Sequence, residues 1–188
     1  RDFQSIYVRS WAGADPATGN PLWYVDETKG ATTSNVNNAL RGIVGSASPK
    51  GFGGANTSLK YKNFSVAANF SFQYGNLLND KWGFIYTSDG ALPNLNKNQK
   101  QLRRWQKPGD ITDIPRYDFN NATASNANST RYFYKGDFIR LRSLTVSYEL
   151  PAVLLKKWDI TGLSFYVRGN NIWTKTYDPN IAMDPEQP

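Results

Sequence analysis

The stretch FSVAANFSFQYG, residues 64–75, alternates apolar and polar side chains almost without interruption. Phe64, Val66, Ala68, Phe70, Phe72 and Tyr74 occupy one set of alternate positions, and Ser65, Ala67, Asn69, Ser71, Gln73 and Gly75 the other. Successive side chains of a strand point to opposite faces, so this segment forms a strand with one apolar face and one small, polar face. At about 3.4 Å per residue it reaches roughly 40 Å, enough to cross a bilayer core at a tilt. The apolar face then has two candidate neighbours: the core of a water-soluble sandwich, or lipid.

The same pattern recurs. ANTSLKY, residues 55–61, places Thr57, Leu59 and Tyr61 on one face, and Lys62-Asn63 reads as the tip of a tight hairpin because Asn tolerates left-handed backbone. YFYKGDFIRLRSLTVSYEL, residues 132–150, alternates Leu144, Val146, Tyr148 and Leu150 with Thr145, Ser147 and Glu149, and Pro151 ends it. Upstream, Ile139 and Leu141 are out of phase by one, which predicts a bulge or a change of environment near Ser143. LSFYVRGNNIW, residues 163–173, sets Leu163, Phe165 and Val167 on one face. IYVRSWAG (6–13) and LWYV (22–25) read as strands around the turn-rich DPATGNP, whereas 26–54 is polar and Gly-rich, with NVNNAL faintly helical and PKGFGG a breaker cluster. Between the strand pairs at about 55–75 and 132–173 lies a long loop, about 76–131, and PAVLLKKWDITG (151–162) is a short connector. Short turns alternating with a long loop suit a membrane barrel with long outer loops better than a compact soluble domain.

Composition narrows the function classes. No apolar run approaches the roughly 18 residues of a transmembrane helix, a test to which barrel strands are blind. Cys and His are both absent, which removes thiolate metal sites, disulfides and the commonest general base, so no cofactor, metal or catalysis is expected. Asp110, Asp113 and Asp118 cluster in GDITDIPRYD without the spacing of a calcium loop, and Gly13 and Gly53-Gly54 lack the setting of a phosphate loop. The net charge of +7 is spread over single and paired cations with no long run, so nucleic acid is not an expected partner. Arg168 alternates onto the polar face, and Arg140 and Arg142 need water or an acidic partner, since a guanidinium facing lipid at mid-bilayer costs about 2–4 kcal/mol. LLKKW, 154–158, reads as a plain connector. Aromatics make up 14% of the chain, and Trp82, Trp105, Tyr117 and Trp173 offer flat faces for sugar rings, for packing or for a membrane interface.

Four segments in order resemble one family: WAGADPATGNPLWY, GSASPKGFGGANTSLKYKNFSVAANFSFQYGN, GDFIRLRSLTVSYELPAVLLKK and LSFYVRGNNIWTKTYDPN. Each is similar to a stretch of the C-terminal barrel of SusC/RagA-type TonB-linked outer-membrane transporters of Bacteroidota. The resemblance implies an all-β fold, an antiparallel transmembrane β-barrel segment that is part of a 22-stranded barrel with long extracellular loops. It implies import of oligosaccharides or peptides together with a SusD-like surface lipoprotein, driven by TonB through an N-terminal plug. On this reading residues 1–188 are a fragment of one barrel domain in the bacterial outer membrane, with the plug and the final strand absent. Phe64, Val66, Phe70, Phe72, Tyr74, Val146, Tyr148 and Phe165 would face lipid. Trp82, Trp105 and Tyr117 would be outer-loop contacts for substrate or partner. The alternative is a soluble, secreted β-sandwich that binds carbohydrate.

Overall fold

The computed structural model describes residues 4–119 and 121–186. Its strands, in chain order, are β1 (Ser5–Arg9), β2 (Trp11–Ala14), β3 (Pro21–Tyr24), β4 (Thr32–Thr33), β5 (Arg41–Ser46), β6 (Gly51–Tyr61), β7 (Phe64–Tyr74), β8 (Leu77–Asn79), β9 (Phe133–Lys135), β10 (Phe138–Glu149) and β11 (Ser164–Thr176). Every named strand pairing is antiparallel or belongs to a two-stranded ladder, and among the described residues no helix is long and apolar enough to cross a membrane. The chain divides into two units, residues 49–76 with 135–185, and residues 4–48 with 77–134 and 186.

The first of these, the sheet unit, is a four-stranded sheet in the order β11-β10-β7-β6. Cross-strand partners share a face, so the register sorts the side chains. One face carries the rows Tyr61–Phe64–Tyr148–Phe165, Leu59–Val66–Val146–Val167 and Ala55–Phe70–Leu141–Trp173. The other carries Lys60–Ser65–Ser147–Tyr166, Ser58–Ala67–Thr145–Arg168 and Asn56–Asn69–Ser143–Asn170. The alternation in the sequence thus becomes a sheet that is apolar on one side and small and polar on the other.

The phase slip falls one residue before Ser143. The register jumps between Leu141 and Ser143 against both neighbours: Arg142 is an extra residue against β7, whereas two residues of β11, Asn171 and Ile172, face the single Arg142. Opposite it on β11, Asn171 adopts a left-handed φ of 51°. The bulge returns Leu141 to the apolar face and sends Arg142 to the polar one, where its Nε donates to Ser71 Oγ at 2.9 Å.

The β6–β7 hairpin closes at Lys62-Asn63, with Tyr61 opposite Phe64. The left-handed residue is Lys62 (φ 53°), not Asn63. Asn63 serves β10 instead: its Nδ2 donates to the Glu149 carbonyl at 2.6 Å, and its own carbonyl accepts from Glu149 N at 2.9 Å. β6 begins at Gly51, inside the segment that reads as a breaker. A Cβ on Gly51 would come within 2.6 Å of the Tyr74 ring system, and one on Gly53 within 2.9 Å of Phe72, so these glycines make room for aromatics on the neighbouring strand. The connector between β10 and β11 holds one helical turn, α2 (Ala152–Leu155), whose Leu155 is buried.

The second unit, the loop unit, has short ladders, β1 with β5 and β2-β3-β4, and a small core around the fully buried Trp23. Residues 26–54 are richer in structure than their composition suggests: they contain β4 and β5, and the NVNNAL piece forms one 3-10 turn capped by Asn35. Trp23 packs edge-on against Trp11, ring centroids 5.8 Å apart. The 77–131 stretch folds over this core through a helical turn, α1 (Gly83–Tyr86), and a 3-10 turn at Gln99–Arg103.

Candidate functional site

The apolar face of the sheet is exposed along its length. Leu59 is 71% and Val167 76% exposed, and Phe64, Val66, Phe72, Tyr74, Val146 and Phe165 are exposed as well. Phe70 and Tyr148 are half-buried among their neighbours, Tyr148 tilted against Phe64 at 4.6 Å. All eight residues expected at the apolar surface are in the sheet unit, and seven have cross-strand partners in the apolar rows or their continuation. Tyr74 pairs with Gly51 at the end of β7. Trp173 lies in the row of Phe70 and Leu141, on this same face.

The polar face holds an open depression of about 500 Å³ lined by Asn56, Ser58, Asn69, Thr145, Arg168 and Asn170 among others. Arg168 Nε donates to Thr145 Oγ1 at 3.1 Å. Arg140, also on this face through its partner Ser71, pairs with Asp184 at 2.6 Å, and Lys60 pairs with Glu149 at 3.0 Å across exposed ground. Lys60, Arg140, Arg142 and Arg168 therefore sit on the polar side with polar partners, whereas Lys175, at the end of β11, lies in the row of Phe72 and Ile139.

The loop unit is organised by a buried ion pair that the sequence does not announce. Asp89 is fully buried, and Arg131 grips both its carboxylate oxygens, Nη2 reaching Oδ1 at 2.9 Å and Nη1 reaching Oδ2. Gln101 Nε2 donates to Asp89 Oδ1 at 2.8 Å, and Arg131 also donates to the Ser125 carbonyl and lies 4.8 Å from the Trp11 ring. Burial works to lower the Arg131 pKa, but the hydrogen bonds and charge of Asp89 outweigh it and hold it above its ordinary value. Burial pushes the Tyr132 hydroxyl up. Asp89 itself has a left-handed φ of 48°, and Gly90 follows with φ 101° where a Cβ would strike the Asp118 carbonyl.

Three residues expected to meet ligand or partner are spread over this unit. Trp82 is 65% exposed and stacks on Tyr86, centroids 6.2 Å apart. Trp105 covers the turn at Gly19, and its indole N–H donates to the Pro16 carbonyl at 3.0 Å. Tyr117 borders a depression of about 460 Å³ with Lys97, Asn98, Gln99, Gln101, Leu102 and Arg104. Lys97 donates to Ser88 Oγ at 2.8 Å and to the Leu92 carbonyl, and desolvation lowers its pKa against the opposing pull of Asp89.

Two of the three carboxylates weighed for chemistry are turn-formers. Asp110 Oδ2 accepts from the amides of Gln106 and Lys107, and Asp118 Oδ2 accepts from both the amide and hydroxyl of Thr123. Asp113 is exposed. No group of three or more potential metal ligands occurs among the described residues.

No family model matches the chain. It is 32% identical over 154 residues to TonB-dependent receptor P3 of Formosa agariphila, a match that covers 80% of this chain and 14% of the relative. It is 26% identical over 131 residues to TonB-dependent receptor P26 of the same organism, covering 69% of this chain and 13% of that one. The structure superposes on the RagAB peptide transporter with a TM-score of 0.76 at 28% identity, covering 93% of this chain and 19% of that one. For the RagAB peptide importer in its open-open state the TM-score is 0.75 at 29% identity, with 97% and 20% covered. The chain thus spans about a seventh of the curated relatives' length and a fifth of the solved chains. An antiparallel sheet apolar on one face and polar on the other, four ordered sequence segments and these two kinds of likeness converge on a barrel segment of the SusC/RagA type: the chain is similar to TonB-dependent receptors and shares its fold with part of the RagAB transporter.

Proposed function

We propose that this chain forms part of the wall and outer loops of a TonB-dependent outer-membrane importer of oligosaccharides or peptides. The observation that carries the reading is the sheet β6–β7–β10–β11, whose long apolar face is exposed while its opposite face is small, polar and hollowed by an open depression. A soluble sandwich needs that apolar face covered by a second layer, whereas lipid covers it in a barrel wall. β6 and β11 are the outer strands of this sheet, and in hydrocarbon their free backbone edges must pair with further strands of the same barrel.

In this frame Phe64, Val66, Phe70, Phe72, Tyr74, Val146, Tyr148 and Phe165 face lipid, and Arg168 with the Asn rows faces a hydrated lumen. The loop unit faces outside, where Trp82, Trp105 and Tyr117 meet substrate or a SusD-like surface lipoprotein. Energy comes from TonB through the plug of the whole receptor, and this segment performs no chemistry. The whole receptor with a spin label at Val167 or at Ser58, reconstituted in lipid, tests it. Collision with oxygen should dominate at Val167, and collision with a water-soluble nickel chelate at Ser58. Water-soluble quencher reaching both positions equally would sink the barrel reading. Deleting the receptor gene should abolish growth on the imported nutrient.

A further inference from the structure

We propose that the depression of Lys97, Leu102, Arg104 and Tyr117 is a contact site for an anionic sugar unit, a ring carrying a carboxylate or sulfate group. The inference rests on the import reading and deepens it by naming a substrate class.

The charge pattern comes first. Residues 91–108 contain Lys97, Lys100, Arg103, Arg104 and Lys107 and no acidic residue. The carboxylates that flank the stretch are already engaged. Both oxygens of Asp89 are held by Arg131 and Gln101, and Asp110 Oδ2 is held by two backbone amides. Among the described residues, the hydrogen bonds of Lys97 and Arg104 run to neutral oxygens: Ser88 Oγ and the Leu92 carbonyl for Lys97, the Gln101 carbonyl for Arg104. An ammonium has three donors and a guanidinium five, so both cations keep N–H groups to offer, and an anion is their natural complement.

The lining chooses between anions. Leu102 is 67% exposed and Tyr117 46% exposed, side by side with the cations in a hollow of about 460 Å³. A bare phosphate of a lipid headgroup would use the cations and leave the ring and the aliphatic surface idle. A charged sugar uses all of them: its ring face on Tyr117, its anionic group on Lys97 and Arg104, its hydroxyls on Asn98 and Gln99. The sheet unit, taken alone, repeats the composition. Arg168 lies among Asn56, Asn69 and Asn170, hydrogen-bonded to the Thr145 hydroxyl rather than to a carboxylate.

The test uses the whole receptor, purified in detergent, on an array of carboxylated, sulfated and neutral oligosaccharides, with a peptide library beside it. The expected result is binding to anionic sugars that weakens with salt and drops about tenfold or more in Arg104→Gln and Lys97→Met. Arg104→Lys should restore part of it, and Tyr117→Ala should lower it while sparing inorganic sulfate. Heat-shifted gel migration of each variant confirms a folded barrel. The carboxylated and sulfated arms identify which group is read. Binding to neutral sugars alone, or to peptides alone, overturns this inference and leaves import standing. So does loss of co-purifying lipopolysaccharide in Arg104→Gln with sugar binding intact. Binding to no sugar and no peptide overturns both readings.

Discussion

In the β6–β7–β10–β11 sheet neighbouring strands repeat one another's chemistry within a row: Val66 beside Val146 beside Val167, Ser65 beside Ser147. Any one residue is replaceable by another of its kind. In the loop unit nothing repeats, and the order of a stretch of more than fifty residues converges on one carboxylate, Asp89, with Arg131 arriving from 42 residues away. The difference teaches where each region is vulnerable. The sheet fails by degrees when a face is contaminated; the loop fails at a point.

The sharpest way to break this comparison is Arg131→Met, which leaves the buried Asp89 carboxylate unpaired. Removing one partner of a buried pair costs about 3–5 kcal/mol. Proteolysis of the whole receptor should reveal new cuts between residues 79 and 131 while the barrel keeps its heat-shifted gel migration. Replacing both partners, Asp89→Leu with Arg131→Met, should recover much of the resistance, because the cost lies in the orphaned charge. A loop that stays resistant in the single variant would show that its order comes from elsewhere.

The sheet is next. Val146→Arg puts a guanidinium on the apolar face and should cost about 2–4 kcal/mol near the bilayer midplane, whereas Ser147→Arg, one residue on, points to the polar face and should cost little. Denaturant titration of the receptor folded into lipid vesicles measures both. Equal costs would erase the distinction between the faces.

How much of this could be read from the sequence follows from the same contrast. Strands with period two announce themselves, so β7, β10 and β11, the hairpin tip and the slip near Ser143 were legible from residues a few places apart. The bulge falls at Arg142, which is in phase with Leu144 and Val146 in the sequence but reaches Ser71 on the polar face. The start of β6 was not legible: Gly51 and Gly53 read as breakers, yet they are strand residues whose missing side chains admit Tyr74 and Phe72. This suggests a third variant, Gly53→Ala, whose Cβ has to displace the Phe72 ring. Overpacking of this sort costs about 1–3 kcal/mol, and Phe72→Ala in the same chain should relieve the strain in a double-variant cycle. The Asp89–Arg131 pair had no local signal at all, since no spacing rule links residues so distant.

The smallest effect separates the two units by acid. Three surface turns of the loop unit are built on carboxylates held below their ordinary pKa: Asp15 by the Thr18 hydroxyl and then the Ala17 amide, Asp26 by the Thr28 hydroxyl, Asp110 by the Gln106 and Lys107 amides. A depressed carboxylate contributes stability that is fully present above its unfolded value and fades as the pH falls through the lower folded one. These groups are exposed to solvent, so each contribution is small. The sheet is held by backbone ladders, which do not titrate. Hydrogen exchange corrected for intrinsic rates should therefore show Ala17, Gln106 and Lys107 losing protection in acid before the amides of β7 and β10 do. Asp110→Asn should flatten the pH response at Gln106 and Lys107, because a neutral amide oxygen can still accept those bonds but cannot be protonated in this range. Parallel loss of protection in both units would mean that the turns carry none of the loop unit's order.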